Sequence, residues 1–288
     1  MADPLPHRST PSTSGAAAAP WQDRVTAPPQ WRVVDFISDL HLHAGDPATF
    51  SAWQDYLART RADAVFMLGD LFEVWVGDDV LEPVRRDALG EPDDFALACA
   101  AVLRESARQR PQFFMCGNRD FLVGEAMLQQ CGLQGLADPC VLAFAGTHWL
   151  LSHGDALCLE DTGYQAFRRM VRDRQWQTDF LAQTLAQRQA IARQLRAQSE
   201  QHKQAHPAPS VVDADLATAW LRQADAHTLI HGHTHQPADH MLAEGRRRWV
   251  LSDWDLQADL PRSQVLRLCL DAAGSSATVH RLTPEQAR

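Results

Sequence analysis

No run of apolar residues in this 288-residue sequence approaches the roughly 18 that a membrane span requires, so no transmembrane helix is expected. Positive charge is not in excess either: the formal charge is −9 at pH 7. The broad basic surface needed for nonspecific nucleic-acid binding is therefore missing, and no nucleic-acid partner is expected. The six cysteines (Cys99, Cys116, Cys131, Cys140, Cys158 and Cys269) include no Cys-x-x-Cys pair. A chain this long needs no disulfide framework, and these read as reduced structural thiols of an intracellular protein. A secretory leader is not expected either, because the only apolar block near the start is Ala16–Ala19. There is no internal repeat.

With 45% hydrophobic and 22% charged residues, the chain has the composition of a folded globular protein. Residues 1–30 are rich in Pro, Ala, Ser and Thr without periodicity and read as a disordered tail, leaving 31–288 as the folded domain. From Trp31 the pattern is α/β. Short apolar runs at 33–37, 64–68 and 112–116 read as buried strands, with amphipathic helices expected at 47–60 and 94–109. A hairpin is expected from 141–144 and 148–151, and further strands at 228–230, 249–251, 265–270 and 277–281. Residues 160–206 differ. They carry no strand signal and read as helices over 160–175 and 178–200, with another at 213–224. Residues 168–203 hold eight Arg or Lys against three acids, a net +5 inside an acidic protein. The plain reading is a solvated helical insertion.

The thirteen histidines cluster. Five polar groups fall where strands are expected to end: Asp39-Leu40-His41, Gly69-Asp70, Gly117-Asn118-Arg119-Asp120, His153-Gly154-Asp155 and Gly232-His233-Thr234-His235. In α/β sheets ligands bind beyond the carboxyl ends of strands, so the five can converge. Asp39 with His41, and His233 with His235, have the i, i+2 spacing that turns both side chains one way in an extended segment. Asp70, Asn118 and His153 complete two carboxylates, one amide and four imidazoles. Seven such groups exceed one tetrahedral ion and suit two ions sharing a carboxylate. Mixed nitrogen and oxygen donors without thiolate favour Mn²⁺, Fe or Zn²⁺. Taken singly, each motif is usually a turn or a cap. The set, in this order, is not.

This ordered set resembles the calcineurin-like metallophosphoesterases. The resemblance covers about 32–255. It implies a four-layer α/β/β/α sandwich with a dinuclear centre, one ion held by Asp39, His41, Asp70 and His235 and the other by Asp70, Asn118, His153 and His233. Four longer stretches, at 38–42, 69–79, 117–122 and 153–168, are similar to the UDP-2,3-diacylglucosamine pyrophosphatases of lipid A biosynthesis, which carry Arg rather than His at position 119. That resemblance implies hydrolysis of a lipid-linked nucleotide sugar, with Mn²⁺, by an enzyme at the cytoplasmic face of the inner membrane and peripheral to it. It makes 160–206 a helical cap over the site. Asp70, Asn118 and Arg119 become the catalytic groups, and Asn118, Arg119, Asp161, Ser199 and His233 substrate contacts. Tyr164, one turn from Asp161, is added to that wall. Beyond Ser199 the usual Asn and Lys are not in place, and Lys203 and His206 are the nearest substitutes. Asp120 and Asp155 are expected to orient ligating histidines. A phosphoesterase of soluble nucleotides or phosphodiesters, and a noncatalytic metal-binding scaffold, are the alternatives.

Overall fold

The computed structural model describes residues 23–82, 94–205 and 210–288. In chain order the first half contains β1 (Asp23–Thr26), β2 (Val33–Ile37), α1 (Pro47–Arg59), β3 (Ala64–Leu68), α2 (Asp94–Ala107), β4 (Gln112–Met115), α3 (Glu125–Cys131), β5 (Gln134–Leu136), β6 (Cys140–Phe144) and β7 (Thr147–Ser152). Three helices follow, α4 (Thr162–Val171), α5 (Arg174–Leu181) and α6 (Leu185–Ala205), then α7 (Ala214–Gln223). The chain closes with β8 (Thr228–His231), β9 (Ala238–Met241), β10 (Arg247–Val250), β11 (Val265–Leu270) and β12 (Ala277–Leu282).

The strands form two six-stranded sheets, ordered β1-β6-β7-β8-β10-β9 and β12-β11-β2-β3-β4-β5. Their facing sides make one apolar core, in which Phe36, Phe66 and Leu142 are fully buried. Phe36 pairs with Phe66, and Phe66 with Phe113, across parallel strands. Their rings stack with centroids 5.3 and 4.4 Å apart, the cross-strand aromatic contact that fixes register on a buried face. The outer face of the second sheet packs on α1, α2 and α3, and that of the first on α7. The result is the four-layer α/β/β/α sandwich. Between the second sheet and α1 the buried Asp35 carboxylate takes Arg267, its cross-strand partner on β11, at 2.7 and 2.8 Å, and the hydroxyls of Tyr56 and Thr60 also donate to it.

Two expectations shift. Strand β1 lies inside the stretch read as a tail, so order begins before Trp31; residues 1–22 lie outside the described residues. Its polar sequence hides it, but parallel pairing with β6 supplies its hydrogen bonds. The region 160–206 is three helices with other boundaries, and His206 lies outside the described residues. Asp173 accepts the Trp176 N–H at 3.0 Å and starts α5, and the Thr184 hydroxyl accepts the Gln187 N–H at 3.3 Å to start α6. Where helices over 160–175 and 178–200 were expected, these caps place the breaks at 172–173 and 182–184 instead.

Candidate metal centre

Parallel strands β2, β3 and β4 of one sheet, and β7 and β8 of the other, end at a common edge. The loops leaving them are laced by backbone hydrogen bonds. Asp39 N–H donates to Gly69 O, His41 N–H to Asp70 O, and Gly232 N–H to His153 O, at 2.9 to 3.0 Å. These loops draw the expected groups into two tight sets. Ligand atoms of Asp39, His41 and His235 lie within 4.8 Å of one another, as do those of Asp39, Asp70 and His153. Asn118 joins through its side-chain oxygen, 3.0 Å from His153 Nε2 and 2.8 Å from His233 Nδ1, which also brings in His233. Asp39 is the acid common to both tight sets, and Asp70 Oδ1 sits 3.7 Å from His153 Nε2.

The i, i+2 pairs do not converge by extended geometry. Asp39, His41, Asp70, His233 and His235 all have positive φ, from 48° to 66°. Non-glycine residues rarely adopt this conformation, and here it turns each side chain inward from a tight loop rather than from a pleat. Gly117 serves the same end differently. A Cβ there would stand 2.1 Å from Asp70 Oδ1, so the backbone must be bare for the two loops to meet.

The electrostatics favour cations. His153 is fully buried, which by itself lowers an imidazole pKa, yet the charges of Asp70, Asp39 and Asp155 outweigh burial and raise it to about 9. Burial likewise pushes Asp39 up, but the His235 contact and the surrounding imidazoles hold it well below the usual carboxylate range. His233 goes the other way, lowered to about 4 by burial and by His153. The His153 ring is fixed with Nδ1 2.9 Å from Leu68 O, a carbonyl that only accepts. Nδ1 therefore carries the proton, and the lone pair of the neutral ring, on Nε2, faces Asn118 and Asp70. His41 Nε2 and His235 Nε2 lie 3.2 Å apart, and His235 Nε2 is 3.3 Å from Asp39 Oδ1. Ring nitrogens turned on one another beside buried carboxylates are the donor set of divalent cations of borderline hardness, so the residues fit such ions.

The surrounding residues are less as expected. Asp120 is not on a histidine: it accepts the N–H groups of Gly117 at 2.7 Å and Leu71 at 2.8 Å, tying two site loops together. Asp155 is engaged by Tyr164 Oη at 2.5 Å and Arg168 Nε at 2.8 Å, again not by an imidazole. Tyr164 is on the site wall, its ring centroid 5.7 Å from that of His233. Asp161 caps α4, accepting the Tyr164 N–H at 2.9 Å. Arg119 donates its backbone N–H to Asp70 Oδ1 at 2.8 Å, and its guanidinium lies 3.6 Å from Glu73. Ser199 and Lys203 fall within α6, but their side chains lie outside the described residues.

Glu73 and Arg188 are functional neighbours that no sequence motif singled out. Glu73 touches His41, Arg119 and Arg196. Arg188, fully buried, binds Asp79 and Val76 O. Glu73, Val76 and Asp79 all stand in the stretch 69–79, whose resemblance to the family was the one available signal. Trp176 stacks on Phe180 at 4.9 Å and approaches Phe121 at 6.1 Å, so part of the insertion's apolar surface docks it on the body.

The sequence profile of the calcineurin-like phosphoesterases matches residues 33–237, which contain all seven converging groups. The chain belongs to this family. Its paired Asp and His groups are those of a dinuclear metal-dependent hydrolase of the calcineurin-like type. A protein named UDP-2,3-diacylglucosamine hydrolase from Chromobacterium violaceum is 45% identical over 226 residues, spanning 77% of this chain and 90% of that one. Proteins of the same name from Aromatoleum aromaticum, 44% identical over 76% of this chain and 88% of theirs, and from Xanthomonas campestris, 43% identical over 82% and 97%, are similarly related. No described helix is long and apolar enough to cross a membrane.

Proposed function

We propose that this phosphoesterase hydrolyses the diphosphate of UDP-2,3-diacylglucosamine to UMP and 2,3-diacylglucosamine 1-phosphate, a step of lipid A biosynthesis. The observation that carries the reading is an Asp/His/Asn centre with Arg119 beside it under a helical insertion, in a chain 45% identical to a UDP-2,3-diacylglucosamine hydrolase. Arg suits a diphosphate. Its guanidinium matches phosphoryl oxygens and never deprotonates, so it stabilises charge but gives no proton. A sugar-phosphate leaving group needs little protonation.

In this reading Asp39, His41, Asp70 and His235 hold one ion and Asp70, Asn118, His153 and His233 the other, with Mn²⁺ as the resident metal. Two such ions supply Lewis-acid polarisation of the phosphoryl group and activation of water. The protein's own groups do the rest. Leu68 O, accepting from Nδ1, sets the ring of His153, and the Arg119 N–H holds the Asp70 carboxylate. Asn118 and the Arg119 side chain take up charge developing on the phosphoryl oxygens. Tyr164 and Asp161 at the start of α4 line the substrate's path, and the family resemblance assigns a further substrate contact to Ser199, with Lys203 the nearest substitute beyond it. Helices α5 and α6 shelter the acyl chains, whose burial stabilises binding by about 0.8 kcal/mol per CH₂. The enzyme works at the cytoplasmic face of the inner membrane, as a peripheral protein whose exposed Arg169, Arg174 and Arg193 face anionic headgroups.

Hydrolysis in ¹⁸O-enriched water tests the bond cleaved. Attack at the uridylyl phosphorus puts the label in UMP. Label in the sugar phosphate would contradict the proposed orientation.

A further inference from the structure

Glu73 follows Asp70 by three residues, and its side chain is only 11% exposed. Its two oxygens serve different structures. Oε2 lies 3.3 Å from His41 Nδ1. Oε1 lies 3.0 Å from Arg196 Nη1, on α6, and 3.6 Å from Arg119 Nη1. A carboxylate that merely neutralised two arginines would not need one oxygen turned to an imidazole. Nor would a carboxylate that merely oriented a histidine reach a helix of the insertion.

We propose that Glu73 is a positioning residue that couples docking of helix α6 to the orientation of His41. The inference deepens the two-ion reading above and rests on His41 as a ligand. With Nδ1 facing a carboxylate, the imidazole keeps its proton there, and the Nε2 lone pair is presented to the Asp39 and His235 side of the ring. The His41 contact is not an aligned hydrogen bond, so the carboxylate's own rotamer decides how well the ring is held. Arg196 fixes that rotamer from the opposite oxygen. The insertion thus does more than cover substrate: its seated position sharpens one ligand of the metal centre.

The test is calorimetric titration of the metal-free full-length chain with Mn²⁺, beside kinetics on UDP-2,3-diacylglucosamine and on bis(p-nitrophenyl) phosphate. Glu73→Ala is expected to weaken one of two Mn²⁺ sites by about 10–100-fold, the usual effect of losing a residue that orients a ligand. Glu73→Gln keeps the shape and one acceptor but not the charge, and should fall between that variant and wild type; it decides the matter if the alanine variant does not fold. Arg196→Ala touches no metal ligand. It is expected to lower affinity at the same Mn²⁺ site by roughly 2–30-fold and to raise KM for the acylated substrate more than for the small diester. Wild-type Mn²⁺ affinity in either folded Glu73→Gln or Arg196→Ala would overturn the coupling. A wild-type chain inert toward the acylated substrate would instead overturn the substrate reading, with the Mn²⁺ titrations still deciding the role of Glu73.

Discussion

Arg188 of α6 lays its guanidinium on the Asp79 carboxylate, with Nη1 2.9 Å from Oδ1, and the arginine side chain is 2% exposed against 40% for the acid. The same guanidinium also donates to Val76 O, and Nε reaches Gln183 O at 3.1 Å. Asp79 lies in a short 3₁₀ helix, Asp78–Leu81, that follows the loop leaving Asp70, so the contact pins the insertion to a segment continuous with the metal centre. Arg188→Ala removes these charge-assisted bonds and should cost roughly 1.5–3 kcal/mol of stability, read as a lower denaturation midpoint with raised KM for the acylated substrate. Gly77→Ala should behave alike. Its φ is 134°, and a Cβ there would stand 2.3 Å from Arg188 Nη1. A Gly77→Ala variant with native stability and KM would show that this clamp does not seat the insertion.

Asp70→Asn removes one of the two buried acids of the centre. Metal analysis should show loss of bound Mn²⁺, and the rate should fall by at least about 10²-fold, the upper range for disturbing a metal shell. Full metal content with a near-native rate would contradict its assignment as the shared ligand.

Arg119→Ala should lower kcat while leaving metal content intact, because a guanidinium does not ligate a cation. Removing one charge-assisted hydrogen bond from the transition state corresponds to roughly 1.5–3 kcal/mol, or about 10–150-fold in rate. Loss of metal without loss of phosphate affinity would reverse the role.

Much of this centre is legible in the sequence because each motif follows a short, buried and mostly apolar strand, and the strand fixes where its loop emerges. Asp39, Asp70, Asn118, His153, His233 and His235 need only that rule to be placed together. What escapes has physical reasons. The unforeseen strands β1, β5 and β9 are all sheet edges, each paired on one side only, so their sequences carry no need for a buried face. Helix α3 has seven residues, too few for its periodicity to register. The net +5 of the insertion misleads for another reason: Arg168, Arg172, Arg188 and Arg196 turn inward to Asp155, Gly117 O, Asp79 and Glu73. Composition counts charge but not direction. Glu73 and Arg188 take their meaning from partners more than 30 residues away, which no local pattern displays.

Burial raises the Cys131 thiol to about 11, and Cys140 and Cys158 to about 12, from 9.0. The native state therefore keeps these protons at pH values where the unfolded chain releases them. Their contribution to stability is complete below pH 9 and is lost as pH rises from there toward 12. The melting temperature should fall along this alkaline limb, and Cys131→Ala with Cys140→Val should flatten it. An unchanged limb in that variant would assign the alkaline loss to other groups.

The most direct measurement is UMP release by the Mn²⁺-loaded protein from UDP-2,3-diacylglucosamine and, in parallel, from UDP-N-acetylglucosamine, which lacks the long acyl chains. The two share the diphosphate and differ in the acyl chains, and each CH₂ buried contributes about 0.8 kcal/mol. The expected result is Mn²⁺-dependent release with kcat/KM for the acylated substrate higher by a factor of at least about 10², reached when only four such groups are buried. Equal turnover of the two, or no release from the acylated one, would contradict the assignment of this centre to a lipid-linked nucleotide sugar.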